Sequence, residues 1–365
     1  MLKMGDIYVM FSDPHWKSRE DVQRRGGAVF RIAKKHKASL VGSVGDIIGD
    51  DSPQRIVAKA LQDKRASRLE QLAKQPLAYY QIEEYVKEKR SQESQKARRI
   101  LSEKETLELI VQESPQNQSV IEEYALMQEI IDDQYDALVD DIADEANKLY
   151  GKFDGQVVSV LGNHDPEILV KKIKNTHWLP YDGPFKWKGH TIYGWANTYE
   201  GVRGVKSEKF PHYSNHTYNI LEQKLKDPKF REQFLAQDKN YQNGKKANAD
   251  MFFFHKVVGQ DKSPQYMADG RKGDYDVAAR VLVEEAVKKN KGKLVHVHGG
   301  HIHDGGEMYY GMDELNKYMA SRTGPDHVFV WDINPTTNRV NECIVYRITP
   351  KGYAKKVESK QKKAA

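Results

Sequence analysis

The sequence predicts an α/β protein with an open sheet and a large helical insertion. Three observations lead there. Short apolar, β-branched runs (Ile7–Phe11, Leu40–Val44, Val157–Leu161, Met251–Phe254 and Leu294–Val297) each give way to Gly, Asp, Asn or His. That is the pattern of buried strands with polar residues at their C-terminal ends. More than a hundred residues separate Asp46 from Asn163, where a strand–helix–strand crossover needs only a few dozen. The chain has 365 residues, 39% hydrophobic and 30% charged, enough for one large core plus an inserted segment.

The first unit reads as strand, loop, helix and strand, ending near Asp46. Ser52-Pro53 reads as an N-cap followed by proline at the first helical position, and predicts a helix running to near Gln75, where Pro76 stops it. A second helical stretch starts near Leu77. Its middle, Lys87 to Arg99, is nearly all polar and fits an exposed helix or a linker. Ser102-Glu103-Lys104-Glu105 is a capping box that restarts a helix, which ends before Pro115. Ile121, Tyr124, Gln128, Ile131, Tyr135, Leu138, Ile142, Glu145 and Leu149 then follow 3-4 spacing, seven of the nine apolar. This heptad stripe predicts a long helix, stopped at Gly151. The first half of the insertion carries a net charge of roughly +6 and the second roughly −12, so the halves are expected to pack antiparallel as a hairpin or small bundle.

A helix is expected after Asp165 and a strand at Thr191–Trp195. Segment 199–250, rich in Gly, Lys, Tyr and His, is expected to be partly helical, with loops over the site or over a second sheet. Val328–Asp332 and Glu342–Ile348 are late strands expected to complete that second sheet. The resulting domain plan is a core of 1–51 and 151–350, a helical insertion of 52–150, and a basic, disordered tail of 351–365.

Five short pieces at the strand ends carry the chemistry: Asp13-Pro14-His15, Gly45-Asp46, Gly162-Asn163-His164-Asp165, His255, and Gly300-His301-Ile302-His303. Carboxylate, amide and imidazole are ligand types for divalent metals, and the C-terminal edge of a parallel sheet is where ligands bind. Taken singly, each piece reads as a turn or a core histidine. Together and in order they resemble the calcineurin-like metallophosphoesterase family, whose pattern is D-x-H, G-D, G-N-H-(D/E), a lone His, then G-H-x-H. The resemblance spans about residues 5–305 without 52–150 and, less obviously, 199–250. It implies a four-layer α/β/β/α sandwich holding two divalent metal ions, with Mn²⁺ expected and Fe, Ni or Zn as alternatives. It further implies that Asp13, His15 and His303 hold the first metal, that Asn163, His255 and His301 hold the second, and that Asp46 bridges them. A metal-bridging hydroxide is the implied nucleophile. His164 is implied to serve the leaving oxygen, with Asp165 orienting its imidazole.

The resemblance implies a hydrolase of phosphoesters. Asp46 is followed by Ile47-Ile48-Gly49-Asp50-Asp51, not by the Asp-Arg-Gly of protein Ser/Thr phosphatases, and the G-N-H-D form is similar to that of phosphodiesterases and nucleases in the family. A phosphodiester, nucleotide or nucleic acid is therefore the expected substrate. A nucleotide or sugar phosphomonoester is the alternative, and a non-catalytic scaffold of the same fold is a second one. Arg203, Lys206, Lys209, Phe210, Tyr213 and Tyr218 are candidates for charge and stacking contacts, and so are Trp16, Lys17 and Arg19 beside the first motif. His296 and His298 are expected to be structural or to lie behind the ligands.

A net charge of +6 suits a phosphate-bearing partner. No apolar run approaches the roughly 18 residues of a membrane span, so no membrane partner is expected. One cysteine, Cys343, cannot form an internal disulfide, which points to a reducing cytoplasm. The insertion is expected to be a lid or brace over the core, with an arm that binds a protein partner or a second copy of the chain as the alternative.

Overall fold

The computed structural model describes residues 5–49, 76–97, 101, 103–113, 118–162, 165–196, 227–256, 277–290, 293–300, 318–322 and 325–361. The chain divides into two compact units, Met1–Gly49 with Asp141–Ala365, and Asp50–Asp140.

The larger unit is α/β. Its first sheet begins with β1 (Asp6–Phe11), β2 (Leu40–Val44), β3 (Gln156–Val160) and β4 (His177–Leu179). These four run parallel, with Val9 beside Val41, Val41 beside Val157, and Ser159 beside Trp178. The second sheet holds β5 (Phe185–Trp187), β6 (His190–Trp195), β7 (Met251–Lys256), β8 (Val295–Gly300) and β9 (Tyr318–Arg322). Strands β6 to β9 are parallel, and β5 forms an antiparallel hairpin with β6. Parallel strands place their C-terminal ends along one edge, which brings distant loops together.

The late strands correct the expectation drawn from periodicity. β10 (His327–Ile333) and β11 (Val340–Ile348) do not join the second sheet. β10 pairs antiparallel with β1, and β11 follows it in the first sheet. A strand's period gives its faces but not its neighbour. The tail also differs. Ala354–Gln361 forms β12 at the edge of the first sheet, paired with β11 across a register shift. Its lysines do not prevent pairing, because charged side chains on an edge strand can point into water and discourage further pairing.

The two sheets share an apolar core. Tyr8, Met10, Leu40, Val158 and Val160 from the first pack in one cluster with Ile192, Met251 and Phe253 from the second. Alternate residues of β7 serve opposite faces. Phe252 and Phe254 join a separate cluster with Leu235, Tyr241, Ala278, Ala279 and Leu282. These come from the helices Pro228–Gln237, Lys239–Ala247 and Val277–Lys289. β7 is thus buried on both faces, which explains its unbroken apolar run. Cys343 is buried in the inter-sheet core. A helix runs from Arg19 to Lys35, with a π-type turn at Val22–Gly26, and buries Val29, Ile32 and Ala33. Among the described residues no helix is long and apolar enough to cross a membrane.

The expected helix at 53–75 lies outside the described residues, as does Ser102. In the smaller unit the helices Pro76–Ala97 and Glu103–Glu113 form a hairpin. Leu101 N–H donates to Ser94 Oγ at 3.0 Å, and Lys89 pairs with Glu113 at 2.5 Å. The polar stretch from Lys87 is therefore helix and not linker as far as Ala97. The long helix, Gln118–Gly151, buries Ile121, Tyr124, Tyr135 and Ile142 of the expected stripe. Towards its C-terminal end the buried positions off the stripe are Val139, Ala143, Ala146 and Tyr150. A straight helix turns every 3.6 residues, so a strict heptad drifts by about 20° per repeat and the buried face moves off it.

The helix also moves the domain boundary. Its last turns, from Asp141, belong with the core unit and not with an insertion ending at 150. Asn147 shows why. Its amide accepts from Lys174 N–H and donates to the Lys172 carbonyl, both at 2.7 Å.

Candidate metal centre

Two loops at the C-terminal ends of β1 and β2 build the described part of the site. They are zipped together by backbone hydrogen bonds. Asp13 N–H donates to the Gly45 carbonyl at 3.0 Å, His15 N–H to Asp46 at 3.0 Å, and Trp16 N–H to Ile47 at 2.9 Å. Asp13, His15 and Asp46 all adopt positive φ, 47°, 44° and 49°. Left-handed backbone is uncommon for residues with a Cβ and costs on the order of 1–3 kcal/mol each; such strain clusters at functional sites.

Three side chains converge. One ligand atom each from Asp13, Asp46 and His255 lies within 4.8 Å of the others, and all three residues are buried. His255 Nε2 lies 3.3 Å from Asp46 Oδ2, and His15 Nε2 lies 4.0 Å from the same oxygen. The ring orientation of His255 is set from behind, because Nδ1–H donates to the Val44 carbonyl at 2.8 Å. That leaves Nε2 to face the carboxylates, the arrangement of a ligating histidine.

Close backbone approach makes the cluster possible. A Cβ on Gly162 would overlap the Asp46 carboxylate, and one on Gly300 would overlap Ser12 Oγ and Asp13 Oδ2. β8 of the second sheet therefore ends directly against the Asp13 loop of the first. Ser12 Oγ donates a short hydrogen bond to Asp13 Oδ2. Sequence reasoning missed Ser12, because a serine between a strand and an aspartate carries no signal of its own.

Electrostatics fit a cation. Burial opposes charge on His255, but Asp46 and Asp13 outweigh it and lift its pKa to about 9. The two carboxylates thus hold positive charge even in a buried place. A divalent cation meets the same demand with the imidazole neutral.

Asp165 is fully buried. Its two carboxylate oxygens accept from Gly162 N–H at 2.8 Å and Ile48 N–H at 3.0 Å. It ties the third loop to the second; the expected pairing with His164 lies outside the described residues. Burial, then the neighbouring charge of Asp46, raises its pKa to about 7. Asn163, His164, His301 and His303 lie outside the described residues, as do Arg203, Lys206, Lys209, Phe210, Tyr213 and Tyr218. Trp16 is fully buried and stacks on Phe11 at 6.2 Å, so it is core and not a substrate contact. Arg19 pairs with Asp141 at 2.7 Å.

No protein-family model matches the chain. None of the curated proteins matches it. Solved structures do. One crystal structure is 12% identical with a TM-score of 0.43, covering 94% of this chain and 99% of its own. TT1561 of Thermus thermophilus is 9% identical with a TM-score of 0.37, covering 92% of this chain and 97% of its own.

Proposed function

We propose that this chain is a metal-dependent phosphoester hydrolase with a dinuclear centre, acting on phosphodiesters in preference to monoesters. One observation carries the reading. Asp13, Asp46 and His255, far apart in sequence, meet as a buried two-carboxylate, one-imidazole cluster at strand ends. Asp46 Oδ2 is 4.0 Å from His15 Nε2 and 3.3 Å from His255 Nε2, near one histidine of each proposed metal set. In this reading Asp13, His15 and His303 hold one metal, Asn163, His255 and His301 the other, and Asp46 both. The imidazole share suits Mn, Fe, Ni or Zn, and Mn²⁺ is our choice. Such a pair, when bound, activates water and neutralises charge on the phosphoryl oxygens.

The protein's own part is to fix and to exclude. The zipped loops hold Asp13 and Asp46, and Val44 aims His255. Asp165 binds the Gly162 and Ile48 amides, and in this reading His164 would serve the leaving oxygen. We read the two sheets with their flanking helices as a four-layer α/β/β/α arrangement. The G-N-H-D sequence of Gly162–Asp165 supports a diester, by its likeness to phosphodiesterases and nucleases of the calcineurin-like family. The lone Cys343 and the absence of an apolar span in the sequence favour a cytoplasmic protein.

The test is a metal-supplemented activity panel on the full chain. It compares an aryl monoester, an aryl diester, cyclic nucleotides, and single- and double-stranded nucleic acid, beside metal analysis. Mn²⁺-dependent turnover of a diester is expected. Preference for the monoester would move the substrate class. Absence of both turnover and stoichiometric metal would leave a non-catalytic scaffold.

A further inference from the structure

Between the sheets, behind the metal edge, lies a buried polar chain in an otherwise apolar core. Tyr8 of β1 places its hydroxyl 3.0 Å from His296 Nδ1 and 2.9 Å from His298 Nε2, both on β8. All three residues are 0% exposed. The far end is anchored as well, with His296 Nε2 2.6 Å from the Asn338 carbonyl and Asn338 Nδ2 donating to Asp250 Oδ2 at 3.0 Å.

The proton positions follow from this geometry. A carbonyl only accepts, so His296 carries its hydrogen on Nε2. Burial pushes the pKa of His296 down to about 4 and that of His298 well below the ordinary value, so both rings are neutral. His296 Nδ1 is then a bare acceptor, and Tyr8 O–H donates to it. The Tyr8 oxygen can only accept from His298, which must carry its hydrogen on Nε2. Both histidines are Nε2–H tautomers, and the chain has one direction.

We propose that Tyr8 is a positioning residue for the metal centre: its hydroxyl ties β8 to β1 and so fixes where the loop after Gly300 starts relative to Asp13. β1 leads into Ser12 and Asp13, β8 ends at Gly300, and these two ends touch. Apolar packing between the sheets is non-directional. Two hydrogen bonds of defined length and angle resist sliding where packing alone does not. The metal role rests on the dinuclear reading above, in which His301 and His303 follow Gly300; the brace itself does not.

The experiment has two arms. In the first, nitrogen–proton correlation spectra of the full-length protein read the tautomers directly. Nε2–H forms of His296 and His298, unchanged from about pH 5.5 to 8, are expected. An Nδ1–H form or an imidazolium at either ring overturns the brace.

The second arm compares Tyr8→Phe with the triple variant Tyr8→Phe, His296→Leu, His298→Leu. Folding is checked by circular dichroism, Mn²⁺ affinity by titration, and the Asp13 amide by hydrogen exchange. Tyr8→Phe keeps the ring and loses both bonds. It should weaken Mn²⁺ binding on the order of 10- to 100-fold, the range for residues that orient ligands, and speed Asp13 exchange. The triple variant removes the Tyr8 hydroxyl together with both imidazoles and takes a donor only from the Asn338 carbonyl, so it should regain part of the thermal stability without regaining affinity. Recovery of both together, or wild-type affinity in Tyr8→Phe, refutes positioning. If the wild-type chain takes up no divalent metal, the dinuclear reading fails and the metal role of Tyr8 with it. The brace is then decided by the spectra and by Asp13 exchange. If Tyr8→Phe does not fold, the triple variant decides.

Discussion

Metal uptake should release a proton from His255. With no metal bound, this imidazole is held near pKa 9 although burial opposes its charge, because Asp46 lies 3.3 Å away and Asp13 is close by. A ligating nitrogen must be deprotonated. At pH 7, two units below that value, the proton competes with the metal by about a hundredfold, or about 2.7 kcal/mol. Affinity for Mn²⁺ should therefore climb about tenfold per pH unit from about 6.5 to 8.5 and level off above 9. Titration calorimetry at three pH values, in buffers of unlike ionisation heat, measures both the affinity and the protons released. About one proton per chain is expected from this group at pH 7. A flat affinity with no proton release would refute the reasoning.

The same shift bears on stability. A histidine whose folded pKa is raised contributes stability that is complete below about pH 6.5 and is lost as pH rises through about 9. Metal-free protein should lose up to about 3 kcal/mol over that window, and metal-loaded protein should not. Asp165, raised to about 7, acts in the same direction at lower pH. The folded state holds its proton more tightly than the unfolded chain does, so stability falls between about pH 4 and 7.

Three further outcomes test individual residues and the smaller unit. Gly300→Ala drives a methyl into Ser12 and Asp13; denaturant titration should show a loss of about 1–3 kcal/mol, with Mn²⁺ affinity falling as well. Asp46→Asn should lose metal and activity together, whereas His164→Ala should keep both metals and lose on the order of 10²–10⁴-fold in kcat; metal analysis beside kinetics separates the two, and an aryl ester with a low-pKa leaving group should partly rescue His164→Ala. Replacing Pro53–Asp140 by a Gly/Ser linker, which keeps the turns from Asp141 that Asn147 anchors, should leave metal binding and small-ester hydrolysis intact while changing activity on a large substrate or the solution mass; loss of metal binding would make the segment part of the core.

Local pattern determined much of this protein. β1, β2, β3, β7 and β8 stand where apolar β-branched runs end in polar residues, because a strand buried on both faces needs an unbroken apolar run and its end must meet solvent or a ligand. The 3-4 spacing of Ile121, Tyr124 and Tyr135 similarly marked a long helix. What local pattern lacks is pairing and distance. β10 reads as a strand from its residues, yet only the fold places it against β1, since period 2 names faces and not neighbours. β12 reads as a charged tail because Lys355 and Lys356 face water at a sheet edge. The heptad of Gln118–Gly151 names a stripe, but the true 3.6-residue turn shifts the buried face to Val139, Ala146 and Tyr150. At the site, Asp13, Asp46 and His255 were legible as ligand types. Their meeting within 4.8 Å, the binding of Asp165 to the Gly162 and Ile48 amides, and the span of Tyr8 to His296 and His298 were not. Strand pairing within the first sheet brings Asp13 to Asp46 and Asp165 to Ile48, and packing of the second sheet on the first brings in His255, His296 and His298.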